Sequence, residues 1–300
     1  MKGKKKKHNG GTSVNSKLLR KPIQRCFLLF LAPTFGAFCI GFIYPFLRGI
    51  YLSFCEFVTI GDASFVGFRN YMDAFSDASF IHAFWYTALY AIVSLFLINI
   101  LAFAIAYLLT LGIKGANLFR TAFFMPNLIG GIVLGYIWSM IFNGVLGKMN
   151  TSILMETRYG FWGLIILMCW QQVGYMMIIY IAGLQAVPGE LIEAAKIDGA
   201  SRWKQTLHVT LPSIVPTIVT MLILNVGQVL GVGYEKILLL YNDATASVAE
   251  VISTYVYKKG LIDQSWSFSA AVGLFNSVVN LILLVAANKL SKQATEVGLW

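Results

Sequence analysis

The sequence predicts an all-α, polytopic membrane protein with six transmembrane helices. Of its 300 residues, 58% are hydrophobic and only 12% are charged. A soluble domain of this length has about a quarter of its residues charged. A chain of this composition cannot bury its apolar surface in one water-soluble core, so a lipid bilayer is its natural solvent.

Six segments contain no Asp, Glu, Lys or Arg, and each is long enough to cross a bilayer, which takes roughly 20 helical residues. Because a charge at the bilayer centre costs several kcal/mol, this exclusion indicates membrane spans. Backbone groups in lipid must be paired internally, and the length of the segments favours helices over barrel strands. Pro33 and Pro45 are expected to kink the first helix. The segments are 26–47, 78–113, 121–147, 159–189, 205–234 and 264–288.

The distribution of Lys and Arg predicts that both termini are cytoplasmic. With the N-terminus inside, the inner segments hold sixteen of the 23 basic residues. The Lys-rich start of the chain is interpreted as a retention signal beside anionic lipid head groups, and no nucleic-acid partner is expected. The predicted organisation is a basic tail over 1–25, a six-helix domain over 26–290 that includes a cytoplasmic loop at 187–212, and a cytoplasmic tail over 291–300.

The loop at 187–212 is predicted to form two short amphipathic helices joined by a glycine corner. Pro188 and the acid Glu190 suit a helix start, and a helical stretch over 191–197 precedes Gly199, which can turn the chain. A second stretch over 201–209 is expected, with the next span beginning at Pro212. Such an element at the cytoplasmic surface would dock a protein on the inner side.

The same loop resembles the signature of permease subunits of binding-protein-dependent ABC importers, which is Glu-Ala-Ala, three residues, Gly, nine residues and Ile-x-Leu-Pro. The departure is Val209 in place of Ile, which keeps a branched aliphatic side chain. Segments 66–71 and 119–126 look like parts of sugar permeases, and 233–237 with 252–257 is similar to permeases for larger oligosaccharides. The matching loop residues are Glu193, Ala194, Ala195, Gly199, Val209, Leu211 and Pro212.

This resemblance implies a type I importer permease (MetI-like) fold that forms half of a pathway for a sugar or oligosaccharide. It implies nucleotide-binding ATPase subunits, a second homologous permease, an extracellular solute-binding protein and the cell membrane of a prokaryote. Glu193 would be the charged contact with the ATPase, Gly199 the corner, and Ala194 and Ala195 the close approach. Asp198, Leu211 and Pro212 complete the expected coupling set.

The chain itself is expected to be a transport subunit and not an enzyme. It contains no G-x-x-x-x-G-K-[ST] phosphate-binding loop, so ATP hydrolysis is assigned to the partner. No cofactor and no metal site is predicted, because the three His residues are scattered and the four Cys residues show no C-x-x-C pair.

Polar and aromatic side chains inside the spans are the candidates for contact with the sugar. Amides can bond hydroxyl groups, and aromatic faces can stack on ring carbons. The same amides would serve equally as interhelical hydrogen-bonding groups, and both interpretations stay open. The substrate-pathway candidates are Trp170, Gln171, Asn225, Gln228 and Asn276.

Two other classes of protein remain as alternatives. An ion-coupled secondary transporter would usually carry an ionisable residue within a span, and the six windows contain none. A membrane-embedded enzyme would need a cluster of His, Asp or Glu near the bilayer, which the spacing of these residues does not provide.

Overall fold

The computed structural model describes residues 31–148, 157–226, 237, 250–296 and 298–299, and helices dominate this part of the chain. Five of its helices are long and apolar enough to cross a membrane, and a sharply bent pair makes a sixth span if the pair is taken as one. The predicted all-α architecture is therefore confirmed. Helices suit these apolar segments because each satisfies its own backbone hydrogen bonds in lipid.

The chain divides into two compact units, Met1–Tyr51 and Leu52–Trp300. The described elements are α1 (Leu31–Ser53), β1 (Cys55–Glu56), a 3₁₀ turn (Ile60–Asp62), β2 (Ser64–Phe65), α2 (Arg69–Ser76), α3 (Ala78–Thr110), α4 (Ala116–Phe124) with a 3₁₀ turn (Met125–Leu128), α5 (Gly131–Gly147), α6 (Thr157–Gln185), α7 (Gly189–Ile197), α8 (Arg202–Val226), α9 (Ile252–Tyr257) with a π turn (Lys258–Ile262), and α10 (Trp266–Thr295). Helix α10 continues into the segment 291–300 that was predicted as a tail.

Helix α1 contains a π turn, Cys39–Ile43, immediately before Pro45. The Tyr44 N–H bonds to the Cys39 carbonyl, one residue further back than in an α-helix. Proline has no N–H, and its ring clashes with the carbonyl four residues earlier. The wider turn relieves that clash, so the helix continues through Pro45.

Helix α8 passes through Pro212 in the same way. The prediction of a separate helix over 201–209, with a span beginning at Pro212, is wrong, because the helix Arg202–Val226 is unbroken. A π turn, Thr206–Thr210, lies just before the proline, and the Leu211 N–H bonds to the Thr206 carbonyl. The widened turn accommodates Pro212 without ending the helix.

The third predicted span is not one straight helix. The pair Ala116–Leu128 and Gly131–Gly147 is bent by 104°. Ile129 and Gly130 at the break are extended. Pro126 in the 3₁₀ turn and the adjacent Gly130 and Gly131 account for the break, since proline and paired glycines are common causes of sharp kinks.

Helix α6 supports this bend from one side. The backbone of α4 lies so close to Gly174 that a Cβ there would overlap the Phe123 carbonyl group. One turn earlier in α6, the Gln171 side-chain amide donates a hydrogen bond to the Ile129 carbonyl at 3.4 Å. Lipid offers no water to a broken helix, so Gln171 satisfies a carbonyl that the bend removes from the helix.

The main core lies between α3 and α6. Its side chains interlock with almost no exposed surface, and the Tyr180 hydroxyl of α6 donates to Asn99 Oδ1 of α3 at 2.5 Å. Because lipid tails are as apolar as the side chains, such close packing and interhelical hydrogen bonding hold membrane helices together. Fully buried residues here include Tyr90, Ala102, Ala106, Leu167 and Met177.

A small cap of β1, β2, α2 and α9, here called the hairpin end, covers the end of the bundle where α3 begins. The two strands pair antiparallel, with Cys55 opposite Phe65. The buried Asn70 amide donates to the Ser53 and Cys55 carbonyls at 3.0 and 2.9 Å. These bonds tie α2 to the last residue of α1 and to β1.

Asp77 joins three elements at the hairpin end. Its Oδ1 accepts the Ser79 N–H at 2.8 Å, and its Oδ2 accepts the Tyr255 hydroxyl at 2.7 Å. Burial alone would raise the pKa of Asp77, but these hydrogen bonds and the charge of Lys259 hold this pKa below its usual value. Burial and the contact with Asp77 raise the pKa of Tyr255 far above its usual value, so its hydroxyl stays a donor.

The close approach at Gly174 generates a test of the fold. Replacing Gly174 with Ala is expected to destabilise the protein by about 1–3 kcal/mol, because the added methyl group forces the α4 backbone away from α6. Thermal unfolding of the detergent-purified protein measures this. Gly144→Ala in α5 is the matched control, since no atom lies within 4 Å of a Cβ there. Equal melting of the two variants would show that the helices do not meet at Gly174.

Candidate functional site

Helix α7 is the first part of the candidate site, and its sequence explains its bounds. Pro188 holds the extended position before the first turn. Glu190 lies in the first turn and Lys196 in the last, so each charge complements the helix dipole. The predicted helix in this loop is therefore confirmed.

The predicted glycine corner is also present and follows α7 directly. Gly199 adopts a φ of +73°, in the left-handed region that favours glycine. The Gly199 N–H bonds to the Lys196 carbonyl at 3.1 Å, and the Ala200 N–H bonds to the Ala195 carbonyl at 3.0 Å. This pair of bonds is a Schellman motif, which satisfies the carbonyls left open at a helix end.

The surface of α7 and the corner is exposed and unusually apolar for the end of a helix bundle. Glu193, Ala194, Asp198 and Gly199 are exposed, and Ala195 is half-buried. Large apolar side chains lie exposed around them, on α7 and on the first turns of α8. Exposed apolar patches rimmed by charge are typical of protein-binding surfaces. These side chains are Leu191, Ile197, Trp203 and Leu207.

The remaining two coupling candidates lie elsewhere. Leu211 is half-buried and Pro212 is exposed, and both lie on α8 beyond the π turn. The structure thus groups five of the seven predicted residues on one surface. The other two lie further along the same unbroken helix, Arg202–Val226.

Side chains of α8 attach the corner to the bundle. The Gln205 amide donates to the Ala200 carbonyl at 2.7 Å, which fixes the corner on the first turn of α8. Thr206 is buried, and its Oγ1 lies 2.6 Å from the Tyr107 hydroxyl of α3. No sequence pattern singled out Gln205, Thr206 or Tyr107, because their partners lie in other elements.

Trp170 is the pathway candidate that the structure leaves most accessible. It is 40% exposed, and its ring meets Trp138 of α5 edge-on at 5.4 Å between centroids. Trp138 in turn contacts Phe142 at 4.9 Å. The three rings form an aromatic platform with one exposed member, which is the kind of surface on which a sugar ring can stack.

Two of the amide candidates, Gln171 and Asn225, make hydrogen bonds within the protein. Gln171 is buried and bonds to the broken helix, which favours the interhelical interpretation for that residue. Asn225 is half-buried, and its amide donates to the Met221 carbonyl at 2.8 Å and lies 3.7 Å from Met176 Sδ of α6. Asn276 is half-buried on α10, and Gln228 lies outside the described residues. Across the described part of the chain, no group of His, Cys, Asp or Glu could hold a metal ion.

Residues 98–295 match the family described as binding-protein-dependent transport system inner membrane component. The chain belongs to this family. The matched range contains α7, its glycine corner and all of α8. Membership sets aside the ion-coupled secondary transporter and confirms the family predicted from the loop.

Relatives and a solved structure agree over nearly the whole permease. A probable starch degradation products transport system permease protein of Thermoanaerobacterium thermosulfurigenes is 34% identical over 89% of this chain and 93% of the relative. An arabinooligosaccharides transport system permease protein of Bacillus subtilis (strain 168) is 31% identical over 88% of this chain and 87% of the relative. A chain of a bacterial ABC transporter involved in the import of the acidic polysaccharide alginate has a TM-score of 0.82 at 29% identity, covering 92% of this chain and 99% of the other.

These similarities confirm the predicted fold class, a type I importer permease with several membrane-spanning helices. The protein is a multi-pass membrane subunit of an ABC importer.

Proposed function

We propose that this permease forms half of the pathway for a sugar or oligosaccharide and takes its energy from a separate ATPase that docks on α7 and the glycine corner. The observation that carries the proposal is the exposed apolar surface around Glu193, whose shape the Schellman motif fixes. Support for a carbohydrate comes from relatives named for starch degradation products and arabinooligosaccharides.

In the proposed mechanism, the residues of the surface divide the contact with the ATPase between them. Glu193 supplies the charged contact, and Ala194 and Ala195 are small enough for another helix to approach closely. Gly199 and Asp198 form the corner that sets the angle of α7. Closure of two ATPase subunits on ATP would draw this surface and that of a second permease together, so that the helix bundles rock between inward and outward arrangements. A solute-binding protein then delivers the sugar from outside.

The proposed orientation places α7 and both termini in the cytoplasm of a prokaryotic cell and the hairpin end outside. The support is the distribution of charge, since sixteen of the 23 Lys and Arg residues lie in the segments assigned to the inside. The tails 1–25 and 291–300 would then both be cytoplasmic, as would the loop at 187–212.

Labelling with a membrane-impermeant maleimide tests this orientation. Lys196→Cys on α7 is expected to react only in inside-out vesicles, and Asp73→Cys at the hairpin end only in right-side-out vesicles, because both positions are exposed. The wild-type protein gives the background from its own cysteines. The reverse pattern would contradict the assignment of sides.

Co-purification tests the docking surface. An ATPase is expected to co-elute with the wild-type permease after mild detergent extraction, and its recovery is expected to fall about tenfold with Glu193→Lys and with Gly199→Asp, as for central interface residues. The first reverses a contact charge, and the second strains a backbone with a φ of +73°.

Glu56→Lys is the matched control for this experiment, because it makes the same charge change at the hairpin end. An ATPase that stays bound to both α7 variants, or never co-elutes with wild type, would remove the main support for the proposal.

Sugar transport driven by ATP in proteoliposomes tests the aromatic platform. With starch- and arabinan-derived oligosaccharides supplied through the binding protein, Trp170→Ala is expected to lower transport about fivefold because a stacking surface is lost. Trp170→Phe is expected to retain most of the activity. Trp162→Ala, a comparably exposed tryptophan on α6, is the control. Equal effects of the two alanine variants would argue against a role for Trp170 in the pathway.

A further inference from the structure

One direct side-chain hydrogen bond is described between α8 and α3, and it joins Thr206 to Tyr107. It lies where the docking element, which is α7 with the glycine corner, meets the helix bundle. Thr206 is 8% exposed, and its Oγ1 donates to the Arg202 carbonyl at 2.9 Å. A threonine hydroxyl has one proton, so this bond commits it. The Tyr107 hydroxyl, at 2.6 Å from Thr206 Oγ1, is therefore the donor of the second bond.

Tyr107 continues this contact into the membrane core. Its ring stacks on Phe103 with centroids 6.3 Å apart and an interplanar angle of 26°. Phe103 meets Tyr180 of α6 edge-on at 6.1 Å, and the Tyr180 hydroxyl donates to Asn99 of α3. A continuous series of side-chain contacts thus runs from the first turns of α8 to the interface of α3 and α6.

The π turn makes this tie mechanically important. Thr206 is both the partner of Tyr107 and the first residue of the π turn that ends at Thr210. A π turn is a place where a helix can change its hydrogen-bonding register and bend. If α8 were held only by its own backbone, a displacement of α7 could be absorbed in this turn before it reached the span.

We infer that Tyr107 and Thr206 are positioning residues that hold the start of α8 to α3, so that movement of the docking element reaches the helix bundle. The inference rests on the proposed function, because it requires α7 to be the surface that the ATPase moves. It assigns docking of the ATPase to the surface of α7 and the glycine corner. It assigns transmission of the movement to the contact between Tyr107 and Thr206.

A double-mutant cycle on the complete transporter tests this division. Tyr107→Phe and Thr206→Val each remove one hydroxyl. Each is expected to lower transport about fivefold, as for the loss of one buried hydrogen bond. The substrate is the oligosaccharide that most strongly stimulates ATP hydrolysis by the wild-type transporter. The double variant is expected to be no worse than Thr206→Val alone, because Thr206→Val already removes the bond that Tyr107→Phe removes. Thr206→Ser, which keeps the hydroxyl, is expected to restore transport.

If Tyr107 and Thr206 only stabilised the fold, their replacement would not change the number of ATP molecules hydrolysed per sugar transported. The ATPase is expected to co-purify undiminished with Tyr107→Phe, while the number of ATP molecules hydrolysed per sugar transported rises. Thr110→Val is the control, because the Thr110 hydroxyl bonds within α3 to the Tyr107 carbonyl at 2.7 Å.

Four outcomes would overturn the inference. Additive losses in the double variant would show that the two hydroxyls act separately. A loss of transport in Thr110→Val as large as in Thr206→Val would show only local helix damage. Failure of the ATPase to co-purify with the wild-type permease would contradict both the proposed function and the inference. An ATPase that co-purifies with Tyr107→Phe while the ATP-to-sugar ratio stays unchanged would overturn the inference alone.

Discussion

The structure depends on one constraint, which is that lipid offers no hydrogen bonds to a helix whose ladder is interrupted. Three irregularities in the described spans are each matched by a specific remedy. The π turns before Pro45 and Pro212 keep the helix going by bonding one residue further back. The break at Ile129 is met by the side chain of Gln171 from another helix. In these three places, another hydrogen bond within the protein compensates for the one that the regular helix loses.

The sequence alone predicted those features whose causes lie close together in the chain. Exclusion of charge marks a span because each charged residue would itself pay the cost of entering lipid. Helix α7 and its corner were predictable because a proline, a helix-starting acid and a glycine act locally. The bend between α4 and α5 was missed, although Pro126 and Gly130 gave a signal for it. What holds the bend is Gln171 and Gly174, whose roles depend on a distant segment.

The prediction at Pro212 failed for a related reason. Proline was taken to begin a span. It cannot continue an α-helical hydrogen-bond ladder, but a π turn supplies another pattern that tolerates it. Among the pathway candidates, amides were ambiguous from the start, since a buried amide serves a helix contact as well as a sugar. The geometry separates Gln171, which bonds to backbone, from Trp170, which keeps an exposed ring. Only contacts across elements distinguish such cases.

The Schellman corner has a consequence for how importers can be engineered. Its shape is set by main-chain bonds and by a single glycine. The charged side chains of Glu193 and Asp198 are exposed on this frame and do not determine its shape. If the proposed docking holds, recognition of the ATPase is separable from the architecture that presents it. Reversing charges on this frame, together with matching reversals on an ATPase, would yield an orthogonal pair.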